Sequence, residues 1–302
     1  MFNRMTTLTL LYSALLSINL IDLDSLGYGI GIYSSLFNVS NITLSFDAFI
    51  FILGALAMLG YNNQAGFNSS SSTIPEYCLI VLFTIIGQSM FISSFDLVSL
   101  FICLELQSFG LYILATIYRN SEGATSAGLK YFLLGGLSSA IILLGSALIY
   151  SYTGLTQFES LFSLCQVIDF EVNAVSIGLI LITIGFLFKV ASAPLHNWAP
   201  DVYDGVPTII TMFLTTMPKV SIFLVLLQIQ LGFQGSLNSI SVSVGDSVYN
   251  VWAILILIAS TLSLIVGTVG RTEPTSYQTT TILFNYQSCR IYPTSSSSEL
   301  SR

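Results

Sequence analysis

Residues 188–207, FKVASAPLHNWAPDVYDGVP, decide what kind of fold this chain can adopt. The stretch joins two strongly apolar segments and contains three prolines. Proline lacks the amide N–H that a helix interior needs, and its ring clashes with the preceding turn. No continuous helix can therefore cross this stretch, and Lys189 lies at its start. The sequence predicts one helix that is broken near residues 189–207, beside a positive charge.

The composition of the whole chain excludes a water-soluble protein. Only 8% of the 302 residues are charged and 54% are hydrophobic, whereas about 25% charged residues is usual in soluble domains. The mean hydropathy is +0.83, which also excludes a disordered chain. Eight basic residues and a net charge of −7 argue against a nucleic-acid partner. We therefore predict a polytopic membrane protein whose surroundings are the lipid bilayer.

Eight segments are long and apolar enough to cross a bilayer, because about 20 mostly apolar residues span the hydrocarbon layer as a helix. Helices are expected since lipid offers no hydrogen bonds to the backbone. The segments also lack the alternating pattern of barrel strands. The predicted fold is all-α with about eight transmembrane helices. The predicted spans are residues 5–21, 44–61, 77–93, 97–117, 127–152, 174–193, 207–231 and 249–270.

Few basic residues are available to orient the chain. With eight spans, Arg4 and Arg119 lie on the side of the N-terminus. The loops on the opposite side contain acidic residues and no basic residue. The positive-inside rule counts Lys and Arg in short loops, so it places Arg4 and Arg119 on the cytoplasm-like side. No clear signal-peptide cleavage site follows residues 5–21, and we expect this segment to be retained.

The sequence offers no motif for a redox cofactor or a metal ion. The four cysteines have neither CxxC nor metal-ligand spacing, and no phosphate-binding glycine loop or nucleotide fingerprint is present. We therefore expect no cofactor and no metal in this chain. Its ionisable residues suit the movement of protons or cations instead.

Five ionisable residues lie at or within predicted spans, and Glu105, Lys189 and Lys219 are the leading candidates among them. A charge at mid-membrane costs about 2.5–3.5 kcal/mol on insertion scales, so such residues are functional candidates by default. Lys219 directly follows Pro218, and Lys189 lies five residues before Pro194. Helix breaks at membrane depth are tolerated where they face protein or water. A lysine near a glutamate can exchange a proton near neutral pH, so these residues indicate a proton path.

Two further residues are weaker candidates. Lys130 lies three or four residues inside its span, so it can belong to the proton path or extend its ammonium group to the interface. His196 can relay protons, because its pKa is ordinarily near neutrality, or it can be satisfied within the helix break. Asp47 is shallow in its span and is expected at the membrane interface.

The stretch 188–207 resembles the seventh-helix region of the antiporter-like membrane subunits of NADH:ubiquinone oxidoreductase, respiratory complex I. Residues 104–150, LELQSFGLYILATIYRNSEGATSAGLKYFLLGGLSSAIILLGSALIY, resemble the fifth and sixth helices of that family. The similarity covers about residues 44–270 and is greatest to the subunit 2 type, in a mitochondrial, fungal-type form. The resemblance implies a partial antiporter-like fold.

The resemblance also implies a role for each matching residue. Glu105 corresponds to a fifth-helix glutamate that modulates a lysine, and Lys189 to the central titrating lysine at the seventh-helix break. Lys219 corresponds to the eighth-helix lysine that links a half-channel to the membrane axis. Lys130 matches a sixth-helix lysine, and His196 matches a polar residue after the break.

The function implied by the resemblance is that of a core membrane subunit of complex I, a multi-pass protein of the mitochondrial inner membrane. Such a subunit couples NADH-to-ubiquinone electron transfer to proton translocation. NADH, FMN, iron–sulfur clusters and ubiquinone would be bound by other subunits, and its partners would be other complex I membrane subunits. Two alternatives remain: an Mrp-type cation/proton antiporter subunit, and a truncated remnant that does not pump protons.

The sequence predicts three regions. Residues 1–43 form an N-terminal helix and loop, and residues 44–270 form the first half of an antiporter-like proton-translocating domain. Residues 271–302 are polar, although the family expects a further helix there. If the codons of Leu283–Ile291, LFNYQSCRI, are read in a frame shifted by one base, they can encode Tyr-Ser-Thr-Ile-Ser-His-Val-Gly. This sequence is part of the helix that the family expects. We interpret 271–302 as an out-of-frame translation, and a genuine polar tail is the alternative.

Overall fold

A computed structural model of the chain describes residues 2–21, 29–67, 76–118, 121–167, 173–232, 241–244 and 247–270. The described part is mostly helical, with two short hairpins. The predicted tail, 271–302, lies outside the described residues, as does Arg119 of the predicted orientation. The elements are α1 Phe2–Ile21, β1 Ile30–Ile32, β2 Phe37–Val39, α2 Asn41–Phe67, α3 Glu76–Ser93, α4 Leu97–Thr116, α5 Glu122–Thr153, α6 Phe158–Val167, α7 Asn173–Val190, α8 Trp198–Gly205, α9 Thr208–Gly232, β3 Ser241–Val244, β4 Ser247–Asn250 and α10 Val251–Gly270.

The described helices confirm the expected polytopic membrane fold. Six of them, α1, α2, α3, α4, α5 and α9, are long and apolar enough to cross a membrane. Two more contain shorter apolar stretches, Val175–Val190 in α7 and Ile254–Thr268 in α10. These eight helices correspond one to one with the eight predicted spans, because each span was recognised by a continuous apolar run of about the membrane's thickness.

Four small elements were not predicted: the hairpins β1–β2 and β3–β4, and the short helices α6 and α8. In the first hairpin Ile30 pairs with Val39 and Ile32 pairs with Phe37, antiparallel. Strands of three or four residues are too short to show the alternation by which a strand is recognised in a sequence. The hairpins therefore add local structure to loops without changing the set of spanning helices.

The chain divides into two compact units. The first unit consists of Met1–Leu129 with Val206–Ser221, and the second of Lys130–Gly205 with Ile222–Arg302. In the first unit α1 packs on α2, and α3 packs on both α2 and α4. In the apolar stretch of α4, 61% of the residues are buried, against only 22% in that of α1. Helix α4 therefore lies inside the packed helices, and α1 presents apolar surface outward.

Helices α3 and α4 approach closely at a glycine. A Cβ atom added at Gly87 would lie 2.8 Å from the main-chain nitrogen of Gln107 and 3.1 Å from its Cα. Small residues permit such contacts between membrane helices, which are held together largely by close packing and polar contacts. Because the obstructing atoms belong to the backbone of α4, they cannot rotate away, and Gly87 sets the separation of the two helices.

The end of α7 is a well-formed helix cap in the second unit. Ala191 adopts the left-handed conformation, with φ of 63°, and its N–H donates to the carbonyl of Phe188 at 3.0 Å. The N–H of Ser192 donates to the carbonyl of Leu187, also at 3.0 Å. These two bonds define a Schellman motif. Lys189 is therefore one of the last helical residues of α7.

Side chains complete this cap. The Ser192 hydroxyl donates to the Leu187 carbonyl at 3.1 Å, and the indole N–H of Trp198 donates to the Phe188 carbonyl at 3.1 Å. The last carbonyls of a helix have no partner within the helix and must find one elsewhere. Trp198 is the first residue of α8, so the helix that follows the break supplies part of the cap for the helix that precedes it.

We predict that replacing Gly87 by alanine weakens the packing of α3 on α4 and lowers the thermal stability of the protein. The added methyl group meets the Gln107 backbone, and overpacking costs typically 1–3 kcal/mol. Gly136→Ala is the matched control, because a Cβ at Gly136 meets nothing within 4 Å. Thermal denaturation of the purified full-length gene product would show a lower midpoint for G87A only, and equal midpoints would refute the close contact.

We also predict that Ala191→Gly stabilises the helix break and that Ala191→Val destabilises it. Glycine reaches φ of about +60° without the steric cost, roughly 1–2 kcal/mol, that other residues incur there, and Ala191 has φ of 63°. A β-branched side chain suffers most in this region. The thermal midpoint should rank Gly above Ala above Val, and the opposite ranking would show that Ala191 is not left-handed.

Candidate functional site

Lys189 lies where a membrane helix ends. It is half-buried, in the last turn of α7, one residue before the helix terminates at Val190. The aligned peptide dipoles leave a partial negative charge at a helix C-terminus, which favours a cation there. Burial opposes that charge. The local fold thus places a lysine at the partly negative end of a helix, with its side chain half-buried.

Lys219 lies in the interior of the first unit. It is on α9, directly after Pro218, and only 8% of its surface is exposed. Helix α9 runs through Pro218 without a break, although proline cannot donate the hydrogen bond that Leu214 would otherwise accept. A charged residue this deeply buried requires a hydrogen-bonding or electrostatic partner, and Lys219 is not isolated within the packed helices.

Glu105 lies on α4, in the same unit as Lys219. It is half-buried, and Gln107, two residues further along the helix, is 4% exposed. The Ser221 hydroxyl donates to Gln107 Oε1 at 3.3 Å. Ser221 follows Lys219 by two residues on α9. This contact places the segment of α4 that contains Glu105 beside the segment of α9 that contains Lys219.

Lys130 makes a salt bridge in the second unit. Its ammonium nitrogen lies 2.7 Å from Asp201 Oδ2, and the two side chains are 53% and 58% exposed. Ion pairs exposed to this degree contribute about 0–1 kcal/mol. Next to Lys130, Tyr131 stacks on Trp198 with ring centroids 5.2 Å apart. The pair therefore joins α5 to α8 beside the helix break, a contact that the sequence did not predict.

His196 lies in the turn between α7 and α8. It is half-buried, and its main-chain carbonyl accepts a hydrogen bond from the N–H of Ala199 at 3.0 Å. The second unit thus contains three predicted site residues, Lys130, Lys189 and His196, and the first unit contains Glu105 and Lys219. Within the described ranges, no three His, Cys, Asp or Glu side chains are placed to hold a metal ion.

The sequence did not indicate the two buried amides, Gln88 and Gln107, or Asp201 as the partner of Lys130. Gln88 is fully buried on α3 and Gln107 is buried on α4, whereas the predicted candidates inside the spans are all charged residues. An amide within an otherwise apolar span was the available signal, because burying a polar group without a hydrogen bond is unfavourable. Asp47, expected at the interface, is half-buried, and its Oδ1 has no hydrogen-bond partner among the described residues.

Solved structures share the fold of this chain. Its helices match a chain of "Respiratory complex I from Thermus thermophilus with bound Aureothin" with a TM-score of 0.72 at 24% identity, over 98% of this chain and 58% of that chain. A chain of the "Mrp complex from Dietzia sp. DQ12-45-1b" matches with a TM-score of 0.77 at 17% identity, over 97% of this chain and 52% of that chain. The antiporter-like fold that the sequence predicted is therefore confirmed.

Curated relatives agree with that fold. The chain is 51% identical to NADH-ubiquinone oxidoreductase chain 2 of Rhizopus oryzae, over 89% of this chain and 52% of the relative. It is 34% identical to NADH-quinone oxidoreductase subunit N 1 of Acidiphilium cryptum, over 81% of this chain and 48% of the relative. The chain thus spans about half the length of these relatives. The family model "NADH:quinone oxidoreductase/Mrp antiporter, TM" matches residues 94–279, and the chain belongs to this family as a membrane subunit of the complex I chain 2 type.

Proposed function

We propose that this chain is part of a core membrane subunit of respiratory complex I that moves protons across the mitochondrial inner membrane. Family membership and 51% identity to a fungal chain 2 support the complex I assignment. The similarity to the fungal relative supports the proposed location in the mitochondrial inner membrane. The proposal concerns the whole gene product, because the chain spans 52% of that relative.

The single observation that carries the proposal is Lys189 at the capped end of α7. An intramembrane ionisable residue at a broken helix is typical of ion and proton sites in transporters. The cap fixes the helix end through four hydrogen bonds to the carbonyls of Leu187 and Phe188, so the position of Lys189 does not depend on its charge. A lysine held in this way can bind and release a proton without dismantling the helix end around it.

Glu105 and Lys219 would complete the path. Glu105 supplies a carboxylate that can favour or disfavour a positive charge, depending on its own protonation. The Gln107–Ser221 hydrogen bond holds its helix segment beside that of Lys219. We propose that Lys219 delivers protons toward the membrane axis, that Lys189 is the central group, and that Glu105 modulates the charge of a lysine.

Lys130 and His196 would have supporting roles. The 2.7 Å contact with Asp201 holds the Lys130 ammonium group next to α8, which favours a role in positioning the helix break. His196 lies within that break, where it can pass a proton onward. Electron transfer is proposed to occur in other subunits that bind NADH, FMN, iron–sulfur clusters and ubiquinone, and other membrane subunits of the complex would be the partners.

An Mrp-type cation/proton antiporter subunit is the second candidate, because the matching family model covers both kinds of protein. Purification of the full-length gene product separates the two. Co-purification with a flavin- and iron–sulfur-containing assembly supports the complex I subunit, and isolation with antiporter subunits alone supports the second candidate. If the chain is a remnant without pumping activity, replacing Lys189 leaves the rate of proton pumping unchanged.

We predict that Lys189→Arg abolishes proton pumping while the complex still assembles and oxidises NADH. Arginine keeps a cation at the end of α7, but its pKa of about 12.5–13.8, against about 10.4 for lysine, makes proton release at least a hundredfold harder. Proton uptake by inverted membrane vesicles after NADH addition measures pumping, and native gel electrophoresis measures assembly.

Arg4→Lys provides the control for this substitution, because Arg4 is exposed near the start of α1. This variant should pump as the unmodified protein does. If K189R also pumps at the unmodified rate, Lys189 does not release a proton during turnover and the proposed role is wrong. If K189R fails to assemble, Lys189→Met tests whether an uncharged side chain restores assembly without pumping.

A further inference from the structure

Trp198, the first residue of α8, packs on aromatic rings from two other helices. Its indole stacks on Tyr131 of α5, with ring centroids 5.2 Å apart and planes inclined by 18°. It also stacks on Phe188 of α7, with centroids 6.4 Å apart and planes inclined by 16°. Only 6% of Trp198 is exposed. One buried side chain thus joins three helices at the helix break, and the proposed proton path does not use it.

The same indole also contacts the main chain next to Lys189. Its N–H donates to the Phe188 carbonyl at 3.1 Å, and Phe188 directly precedes Lys189. A tryptophan side chain has only two rotatable bonds, so a ring that is both stacked and hydrogen-bonded is held in one orientation. Trp198 therefore restrains the ring and the carbonyl of Phe188 together, and with them the backbone that leads into Lys189.

Helices α5 and α7 contact each other backbone to backbone along a glycine seam, formed by residues 138–145 of α5 and 178–185 of α7. A Cβ atom added at Gly145 would lie 2.6 Å from the carbonyl oxygen of Gly178. A Cβ atom added at Gly185 would lie 3.1 Å from the carbonyl oxygen of Ser138. The order of these contacts shows that the two helices run antiparallel. Small residues permit such close packing in membranes, and the seam fixes the separation of α5 and α7 along its length.

Lys189 lies beyond one end of the glycine seam. It follows Gly185 by four residues, and Tyr131 precedes Ser138 by seven. Because the helices are antiparallel, both residues lie past the same end of the seam. A helix rises 1.5 Å per residue, which places Lys189 about 6 Å and Tyr131 about 10 Å beyond the last seam contact. At this level Trp198 contacts both helices, so it extends the connection between α5 and α7 to the turn that contains Lys189.

An ion pair lies beside these rings but is too exposed to provide the connection alone. Lys130 is adjacent to Tyr131, and Asp201 follows Trp198 by three residues. Both charged side chains are more than half exposed, and ion pairs of this kind contribute little stability. Stacked aromatic rings contribute through the large area that they bury and through their ring geometry. The rings therefore provide most of the connection between α5 and α8.

We propose that Tyr131 and Trp198 are positioning residues for Lys189, which couple α5 to the last turn of α7. Tyr131 holds the indole of Trp198 by stacking, and Trp198 holds the Phe188 backbone through its hydrogen bond. Neither side chain binds a proton in this arrangement, and both act through the position of Lys189. The coupling rests on these contacts alone, and its consequence for proton pumping rests on the proposed function.

Hydrogen exchange of the assembled complex, with the full-length gene product, tests the coupling. The amides of Ala191 and Ser192 form the cap of α7, and mass spectrometry of peptides across this cap reports their exchange. Tyr131→Leu should speed the exchange about fivefold, the factor expected for losing one aromatic pair, although Tyr131 is on a different helix. Trp198→Leu should speed it at least as much. Unchanged exchange in Y131L would overturn the coupling.

The number of protons taken up by inverted vesicles per NADH oxidised tests the consequence for Lys189. A substitution that only reduces assembly lowers both quantities in proportion, whereas a displaced Lys189 lowers their ratio. The ratio should fall in Y131L and W198L and recover in Tyr131→Phe, which keeps the ring. Phe158→Leu is the matched control, because Phe158 is also buried in the second unit and stacks on Phe162 at 5.9 Å. Equal ratios in W198L and F158L would overturn the positioning role.

These outcomes are separable from failure of the proposed function. If the unmodified complex does not pump, hydrogen exchange in Y131L still decides whether α5 and the end of α7 are coupled. If the complex pumps and the ratio is unchanged in Y131L and W198L, the positioning role is refuted while the function stands. Native gel electrophoresis checks assembly, and if W198L does not assemble, Y131L and Y131F carry the test, because Tyr131 is only half-buried.

Discussion

The carbonyl groups at the end of α7 cannot be left without hydrogen bonds at membrane depth, and the geometry around Lys189 depends on how they are satisfied. An unsatisfied backbone group in lipid costs several kcal/mol. The backbone N–H groups of Ala191 and Ser192 donate to the carbonyls of Phe188 and Leu187. The indole N–H of Trp198, on the other side of the break, also donates to the Phe188 carbonyl. The same contacts that end α7 therefore position α8, and with it Asp201, the partner of Lys130.

Two lysines of the described residues, Lys130 and Lys219, lie in contrasting environments. Lys130 and Asp201 are more than half exposed, so their pair contributes geometry and little energy. Lys219 is 8% exposed, where a charge is costly unless it is paired. Natural membrane proteins retain such residues chiefly where ions or protons move. The contrast explains why we place Lys219 on the proton path and give Lys130 a positioning role.

Much of this fold could be predicted from the sequence, because its strongest determinants act locally. Eight apolar runs predicted eight helices, and the prolines of residues 188–207 predicted the break. The capping contacts could not be predicted, since Trp198 and Phe188 are ten residues apart and meet only because of the turns between α7 and α8. Sequence spacing likewise could not show that Gln107 and Ser221 meet, because they are 114 residues apart. The hairpins escaped prediction because their strands are only three or four residues long.

The central claim is that Lys189 changes its protonation state when the complex turns over. Infrared difference spectroscopy of the complex, with lysine labelled by nitrogen-15 and the reaction started by NADH, measures this most directly. A band of a lysine amine should shift on isotopic labelling in the unmodified protein and be missing in Lys189→Arg. The same lysine bands in both proteins would contradict the claim.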